Sequence, residues 1–236
     1  MLQSKNETER KAKEFLKDTI SDISHQLKTP LAALAMYQEI IESEPENAET
    51  VKQFAAKMGT SLKRMEQLIL SMLKITRLDT GNIIFEKKSC RVSELIAHSV
   101  NELTARAKNE NKQIQIDGDG EQKLICDMEW TGEAIGNIVK NALDHTQVGG
   151  IVRITWNRTP AMFQIFISDN GSGIAPEDIH HIFKRFYRSK HSIDTQGIGL
   201  GLPLAKSIIE GQGGVISVQS ESGKGTLFTL SFLTEL

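Results

Sequence analysis

The sequence predicts an α+β protein: a helical hairpin that pairs with a second copy into a four-helix bundle, followed by an α/β sandwich. Three observations carry this. Residues from about 8 to 80 contain no strand-like run, and two apolar stripes there step by three and four. After Gly81 short β-branched and aromatic runs alternate with helical ones. The change falls at Thr80-Gly81-Asn82, a helix stop signal, so the domains are predicted as 1–80 and 81–236.

The first stripe is Ile20, Ile23, Leu27, Leu31 and Leu34; the second is Phe54, Met58, Leu62, Met65, Leu68, Met72 and Ile75. SEPENAET, Ser43 to Thr50, is the polar break between them and makes the pair a hairpin. Two helices bury little by themselves, so the stripes are expected to form a homodimer through residues 8–80; packing on the rest of the same chain is the alternative. Downstream, IIFEKK, KQIQID, QKLIC, IVRITW, FQIFIS, GVISVQS and TLFTLSF read as strands. VSELIAHSVNELTARAKN, DMEWTGEAIGNIVKNALDH and LPLAKSIIEGQ read as helices. Hairpins are expected around Arg158 to Ala161 and at Ser222 to Gly225, giving one sheet covered on one face by helices.

The bulk numbers narrow the function classes. With 236 residues, 25% charged and a net charge of -2, there is no electrostatic case for nucleic acid or for an acidic membrane surface. No apolar run reaches the ~18 residues of a membrane span. The N-terminal residues lack the apolar core of a signal peptide. The expectation is a cytosolic chain, or the cytosolic part of something longer, since MLQSKNETERKAKEF opens in a charged helical run. Cys90 and Cys126 have no metal-ligand spacing and read as buried free thiols in a reducing compartment.

Four clusters in the second part invite chemistry. Asn137 and Asn141, four apart on a helix, share a face; two carboxamides can hold a magnesium ion or its waters, though the pair also fits plain polar surface. DNGSGI, Asp169 to Ile174, follows a strand; the Asp169 carboxylate could accept from an amino group such as that of adenine, or the segment is an ordinary turn. In QGIGLGLPLAKSI, Gly197, Gly199 and Gly201 alternate ahead of a helix whose first turn suits Pro203. A glycine loop entering a helix N-terminus offers free N–H groups and the positive dipole end to phosphate. It has neither the G-K-[ST] of a Walker loop nor the leading βαβ unit of a Rossmann fingerprint. SGKGTLF places Thr226 beside a glycine hairpin.

In this order, with IFKRFYRS supplying an F-x-x-F-Y element through Phe183, Phe186 and Tyr187, the clusters resemble the ATP-binding domain of sensor histidine kinases over residues 85 to 234. That fold is shared with the gyrase, Hsp90 and MutL ATPases. The resemblance implies ATP and Mg2+ as cofactors. It implies that Asn141 coordinates magnesium with Asn137 in support. It implies that Asp169 binds the adenine amino group, with Gly171 and Gly173 shaping the site, that Gly197, Gly199 and Gly201 flank the phosphates, and that Thr226 lies near adenine. It also places Lys140, His145, Ile174, Phe186, Tyr187, Arg188 and Leu200 among the nucleotide-binding residues, and a lid over Ser189 to Gln196. One departure stands out. Where relatives often carry a lysine or arginine after N-A-x, this chain has Asp144. Either Asp144 points away, or cations such as Lys140, Arg185 and Arg188 compensate.

ISHQLKTPL, Ile23 to Leu31, resembles the phosphoacceptor box of the same kinases. By the 100° helical step His25 lies about 160° from Ile23 and Leu27, on a polar face with Asp18, Asp22 and Thr29. The resemblance makes His25 the phosphoacceptor, a response regulator aspartate the destination, and Thr29 a residue that positions water for regulator dephosphorylation. Relatives place a carboxylate beside the histidine; here Gln26 stands there, and Asp22 is the candidate substitute. Pro30, inside the helix, is a candidate hinge. A gyrase-like ATPase would lack the histidine box and carry glutamate at Asn137. A catalytically silent scaffold would have lost His25, Asn141 or Asp169, and all three are present. The resemblance implies the cytosolic part of an inner-membrane-anchored bacterial sensor.

Overall fold

The computed structural model describes residues 2–189 and 197–234, with side chains from Ile20 onward. The chain forms two compact units, one up to Leu70 and one from Ser71. The first is a helical hairpin. Helix α1 spans Leu2–Ser43 and continues through Pro30; α2 spans Ala48–Asp79, and its final segment from Ser71 belongs to the second unit. The turn is built from its own polar groups. Asn47 caps α2 by accepting the Thr50 N–H at 3.2 Å, and Glu44 accepts the Thr50 hydroxyl at 3.0 Å. Tyr37 and Phe54 meet across the hairpin with ring centroids 5.6 Å apart. Much of the predicted stripe remains open to solvent: Ile20, Leu31 and Leu62 are 55%, 58% and 56% exposed.

The second unit holds β1 (Lys88–Arg91), α3 (Val92–Asn109), β2 (Gln113–Asp117), β3 (Lys123–Cys126), α4 (Met128–His145), β4 (Ile151–Arg158) and β5 (Met162–Asp169). A short turn of helix, α5 (Pro176–Ile179), then α6 (Gly201–Gly211), β6 (Val215–Glu221) and β7 (Gly225–Leu233) complete it. The main sheet runs β2-β4-β5-β7-β6, with β2 parallel to β4 and all other pairs antiparallel. Both predicted hairpins form: Arg158 pairs with Phe163, and Glu221 with Gly225. Strand alternation puts Val152, Ile154, Phe163, Ile165, Ile167, Phe228 and Leu230 on one buried face. Ile135, Ile138, Val139 and Leu143 of α4 and Leu204 and Ile208 of α6 are buried with them.

One predicted strand is corrected. IIFEKK is irregular up to Lys87, and β1 begins at Lys88 to pair antiparallel with β3. Its apolar side chains serve elsewhere. Ile84 is 92% exposed, Phe85 meets Trp130 edge-on at 6.1 Å, and the Glu86 N–H donates to Asp127 at 2.9 Å. Asp127 is a junction. It caps α4 by accepting the Trp130 N–H at 3.2 Å, and its own N–H donates to the side-chain oxygen of buried Gln212 at the end of α6. Gln212 in turn donates to Thr131 at 3.0 Å, so the start of α4 and the end of α6 are tied together. Among the described residues, no helix is long and apolar enough to cross a membrane.

Candidate functional site

In the hairpin, His25 is exposed on α1, with Asp22 and Thr29 exposed beside it and Gln26 half-buried. The side chain of Asp18, predicted on the same face, lies outside the described residues. The Thr29 hydroxyl donates to the His25 backbone carbonyl at 3.4 Å, a helix-facing bond of the i to i-4 kind. Among the described residues no hydrogen bond joins the imidazole to Asp22 or Gln26. The ring is open to an incoming group.

In the second unit the DNGSGI and SGKG clusters meet at the end of β5. Asp169 ends that strand and stands opposite Thr226 of β7 in register. Its carboxylate accepts the Gly171 N–H at 2.8 Å. Burial pushes the carboxyl above the ordinary aspartate range, while the backbone N–H groups of Gly171 and Thr226 and nearby His145 pull the other way. The glycines are required by close approach. A Cβ on Gly171 would lie 2.3 Å from the carbonyl oxygen of His145 at the end of α4. One on Gly173, where φ is +66°, would lie 2.1 Å from the Glu221 carbonyl of β6. His145 also accepts the Ser172 N–H at 3.1 Å, which fixes the D-x-G-x-G turn against α4.

Thr226 is buried, and its hydroxyl lies 3.0 Å from that of Ser220, which donates to the Gly225 carbonyl and accepts the Ile174 N–H at 2.9 Å. Ser220 therefore joins Ile174 and Thr226; nothing in its local sequence marks it. Asn137 and Asn141 occupy one face of α4, both half-buried. The Asn137 amide donates to the Glu133 carbonyl at 2.9 Å, and its oxygen lies 3.0 Å from where a Cβ on Gly201 would be. Gly201 thus lets the N-terminus of α6 approach the first asparagine. Among the described residues Asn141's carboxamide has no hydrogen-bond partner, and its oxygen is a donor of the kind magnesium takes.

The aromatic element seats the glycine loop. The Phe186 N–H donates to the Gly199 carbonyl at 2.9 Å, with Phe186 at φ +60° and Gly199 at φ +74°. A Cβ on Gly199 would lie 2.8 Å from the Phe186 backbone. Tyr187's hydroxyl donates to Asp178, a buried carboxylate on α5 that the sequence reading missed because no local pattern links residues nine apart outside a helix. Asp178 pushes the Tyr187 phenol up. Gly197 is half-buried, Lys140 and Arg188 are exposed, and Leu200 turns its side chain into the core at 2% exposure. Of the predicted lid, residues 190–196 lie outside the described residues.

Asp144 points away, toward α3. Its carboxylate accepts from Arg106 at 2.6 Å, and Arg106 also binds Glu110 at 2.6 Å. Arg185 meets Asp79 at the end of α2. The cation partnering Asp144 is therefore Arg106, which the sequence reading did not name, because Arg106 is 38 residues away.

Residues 15–81 match the family described as His Kinase A (phospho-acceptor) domain, and residues 126–236 that described as Histidine kinase-, DNA gyrase B-, and HSP90-like ATPase. Over 217 residues and 91% of its length, the chain is 30% identical to the sensor-like histidine kinase SenX3 of Mycobacterium tuberculosis, covering 53% of that protein. It is equally similar to the sensor protein SrrB of Staphylococcus aureus, covering 37% of it. The chain thus spans about half the length of SenX3 and less of SrrB. In fold it resembles the histidine kinase ThkA, solved in complex with the response regulator protein TrrA, at TM-score 0.78 and 21% identity, covering 98% of this chain and 66% of that one. It also resembles the histidine kinase AdeS of Acinetobacter baumannii at TM-score 0.72 and 18% identity, covering 89% and 97%.

Proposed function

The chain belongs to the sensor histidine kinases, and we propose that it phosphorylates itself on His25 with ATP and passes the phosphoryl group to an aspartate of a response regulator. The observation that carries this reading is the exposed His25 imidazole within the phospho-acceptor segment, ahead of a second unit in which α4 meets the turn after Asp169 at His145 and the glycine-loop helix at Asn137.

The chemistry is phosphoryl transfer. The lone pair of a neutral His25 nitrogen attacks the γ-phosphorus of ATP, the bond to the β,γ-bridging oxygen breaks, and ADP leaves. The other ring nitrogen then gives up its proton. Asp22 is the carboxylate on the same helix face and takes that role; Gln26 can accept a hydrogen bond but not a proton. Asp169 receives the adenine amino group, with Thr226 beside it. Gly197, Gly199 and the α6 N-terminus meet the phosphates. Asn141 would hold Mg2+, with Asn137 in support, and the ion would neutralise phosphate charge during transfer. Lys140 and Arg188 are exposed cations on elements that line this region and add to that neutralisation.

The hairpin is the dimer interface and the platform for the regulator. Leu31 and Leu62 remain more than half exposed in a single copy, which favours a partner for the apolar stripe. The ThkA–TrrA complex supports a regulator as partner, and Thr29, exposed one turn past His25, would help reverse the transfer on it. We place the chain on the cytoplasmic side, as part of a longer sensor anchored to the inner membrane.

The test is incubation with γ-labelled ATP and magnesium, comparing wild type with His25→Gln. Acid-labile, base-stable label on wild type alone supports the proposal. Equal label on His25→Gln, or none on wild type while nucleotide binds, overturns it.

A further inference from the structure

Cys90 and Cys126 look unrelated in the sequence, 36 residues apart, yet their sulfurs lie 3.5 Å from each other. The register of β1 on β3 explains it. Lys88 faces Cys126 and Cys90 faces Leu124, so the cysteines are diagonal neighbours on one face of the two-stranded sheet. Their surroundings differ. Cys126 is buried, at 1% exposure, whereas Cys90 is half-buried; both border a surface groove with Ile84, Arg91, Lys123 and Trp130. Both thiols are free, as expected, and Cys126 is buried; Cys90 is only half-buried, and the two sulfurs are neighbours.

We propose that Cys90 and Cys126 form a reversible disulfide, made by peroxide and reopened by a dithiol reductant, whose closure disturbs the seating of α4 and lowers nucleotide binding. The roles of the two sulfurs follow from their settings. The hydrogen bond from Cys126 acidifies the Cys90 thiol, and Cys90 also reaches the Leu124 carbonyl at 3.4 Å. The same bond, with burial, pushes the Cys126 thiol up. Cys90 is the attacking sulfur and Cys126 the resolving one. The Cys90 thiolate attacks one peroxide oxygen; the O–O bond breaks and hydroxide leaves, taking up the Cys90 proton as water. The Cys126 sulfur then displaces the hydroxyl from the Cys90 sulfenic acid, and its proton leaves with that hydroxyl as a second water. The two sulfurs lose two electrons together, and the two peroxide oxygens gain them.

Closure has a structural cost. A disulfide needs its sulfurs at about 2.05 Å, so the gap must shrink by ~1.5 Å. Diagonal neighbours sit about 7–8 Å apart between Cα atoms, wider than the usual disulfide span of ~4.4–6.8 Å, so β1 and β3 must shift. Cys126 is followed directly by Asp127, which caps α4 and binds Gln212 at the end of α6. Those two helices carry Asn137, Asn141 and the glycine-loop helix start. A displaced Asp127 is therefore felt on both sides of the nucleotide site.

The chemical part of this inference stands alone; the functional part rests on the kinase reading above. The experiment treats the full chain with hydrogen peroxide, then measures intact mass, free thiols in denaturant, affinity for a fluorescent ATP analogue, and autophosphorylation, before and after dithiothreitol. The expected result is loss of two hydrogens in mass within one chain, no free thiol, and nucleotide affinity lower by at least about fivefold, the low end of coupling between sites. Dithiothreitol restores both, and Cys90→Ser, a change at a half-buried position, abolishes the response. Sulfinic acid without a disulfide, a bridge between two chains, or an intramolecular bridge with unchanged nucleotide affinity overturns the proposal. A reduced chain that binds nucleotide and never labels His25 overturns the kinase reading alone, since mass and affinity are read without it.

Discussion

Asp169→Asn separates nucleotide recognition from folding, because the structure assigns its carboxylate opposite effects on the two. One carboxylate oxygen accepts the Gly171 N–H at 2.8 Å, and an asparagine carbonyl can keep that bond. The amide NH2 then replaces the other oxygen, which faces the adenine amino group in our reading. The loss is a hydrogen bond to a charged group, about 1.5–3 kcal/mol, or about 10- to 150-fold in affinity. Folding moves the other way. Burial raises the Asp169 carboxyl above its ordinary value. A group whose folded pKa is raised contributes stability below its unfolded pKa and loses it as pH rises through the folded one. At neutral pH the charge is therefore a burden on the nucleotide-free protein, and the neutral amide is expected to leave the melting temperature unchanged or higher. The same shift means wild-type nucleotide binding weakens as pH falls through the raised pKa, whereas the variant's weak binding stays flat. Fluorescence titration with an ATP analogue across pH, beside thermal melts of the free protein, reads all three. Affinity within twofold of wild type, or a clearly lowered melting temperature, would refute the reasoning.

Four further outcomes are expected. Gly173→Ala forces a side chain into φ +66° with its Cβ 2.1 Å from the Glu221 carbonyl; it should cost more than the ~1–2 kcal/mol of the backbone conformation alone, read by urea unfolding, and weaken nucleotide binding. Arg106→Ala removes the partner of Asp144, whose side chain is only 17% exposed, and should lower stability by about 1–3 kcal/mol; Asp144→Asn should lower it less. Leu62→Lys should shift the chain from dimer toward monomer in sedimentation, since each buried leucine contributes about 1.5–3 kcal/mol and symmetry counts it twice. Asp22→Asn should slow autophosphorylation more than Gln26→Ala does, and the reverse order in initial labelling rates would remove Asp22 from the proton role.

The local parts of this protein were legible. Helical period and the Ser43–Thr50 break read directly as α1, turn and α2, and each glycine cluster sits where its backbone must approach another strand or helix. IIFEKK was misread because β-branched and aromatic content marks a residue that packs well, not the partner it packs on. Phe85 finds Trp130, and the Glu86 N–H finds Asp127, so the segment needs no strand partner. Ser220 and Asp178 were invisible because a single polar residue has no pattern until its partners are in place.

By itself the sequence determined the helical hairpin and the sandwich unit, which rest on period and turn chemistry within a few residues, and its resemblance to sensor histidine kinases supplied the candidate phosphoacceptor and the nucleotide boxes. Only the tertiary structure decided where Asp144 turns, what holds Thr226 and Tyr187, and that Cys90 and Cys126 are neighbours. Those contacts join residues that chain order keeps apart, and their partners follow from strand register and helix packing, which no local pattern encodes.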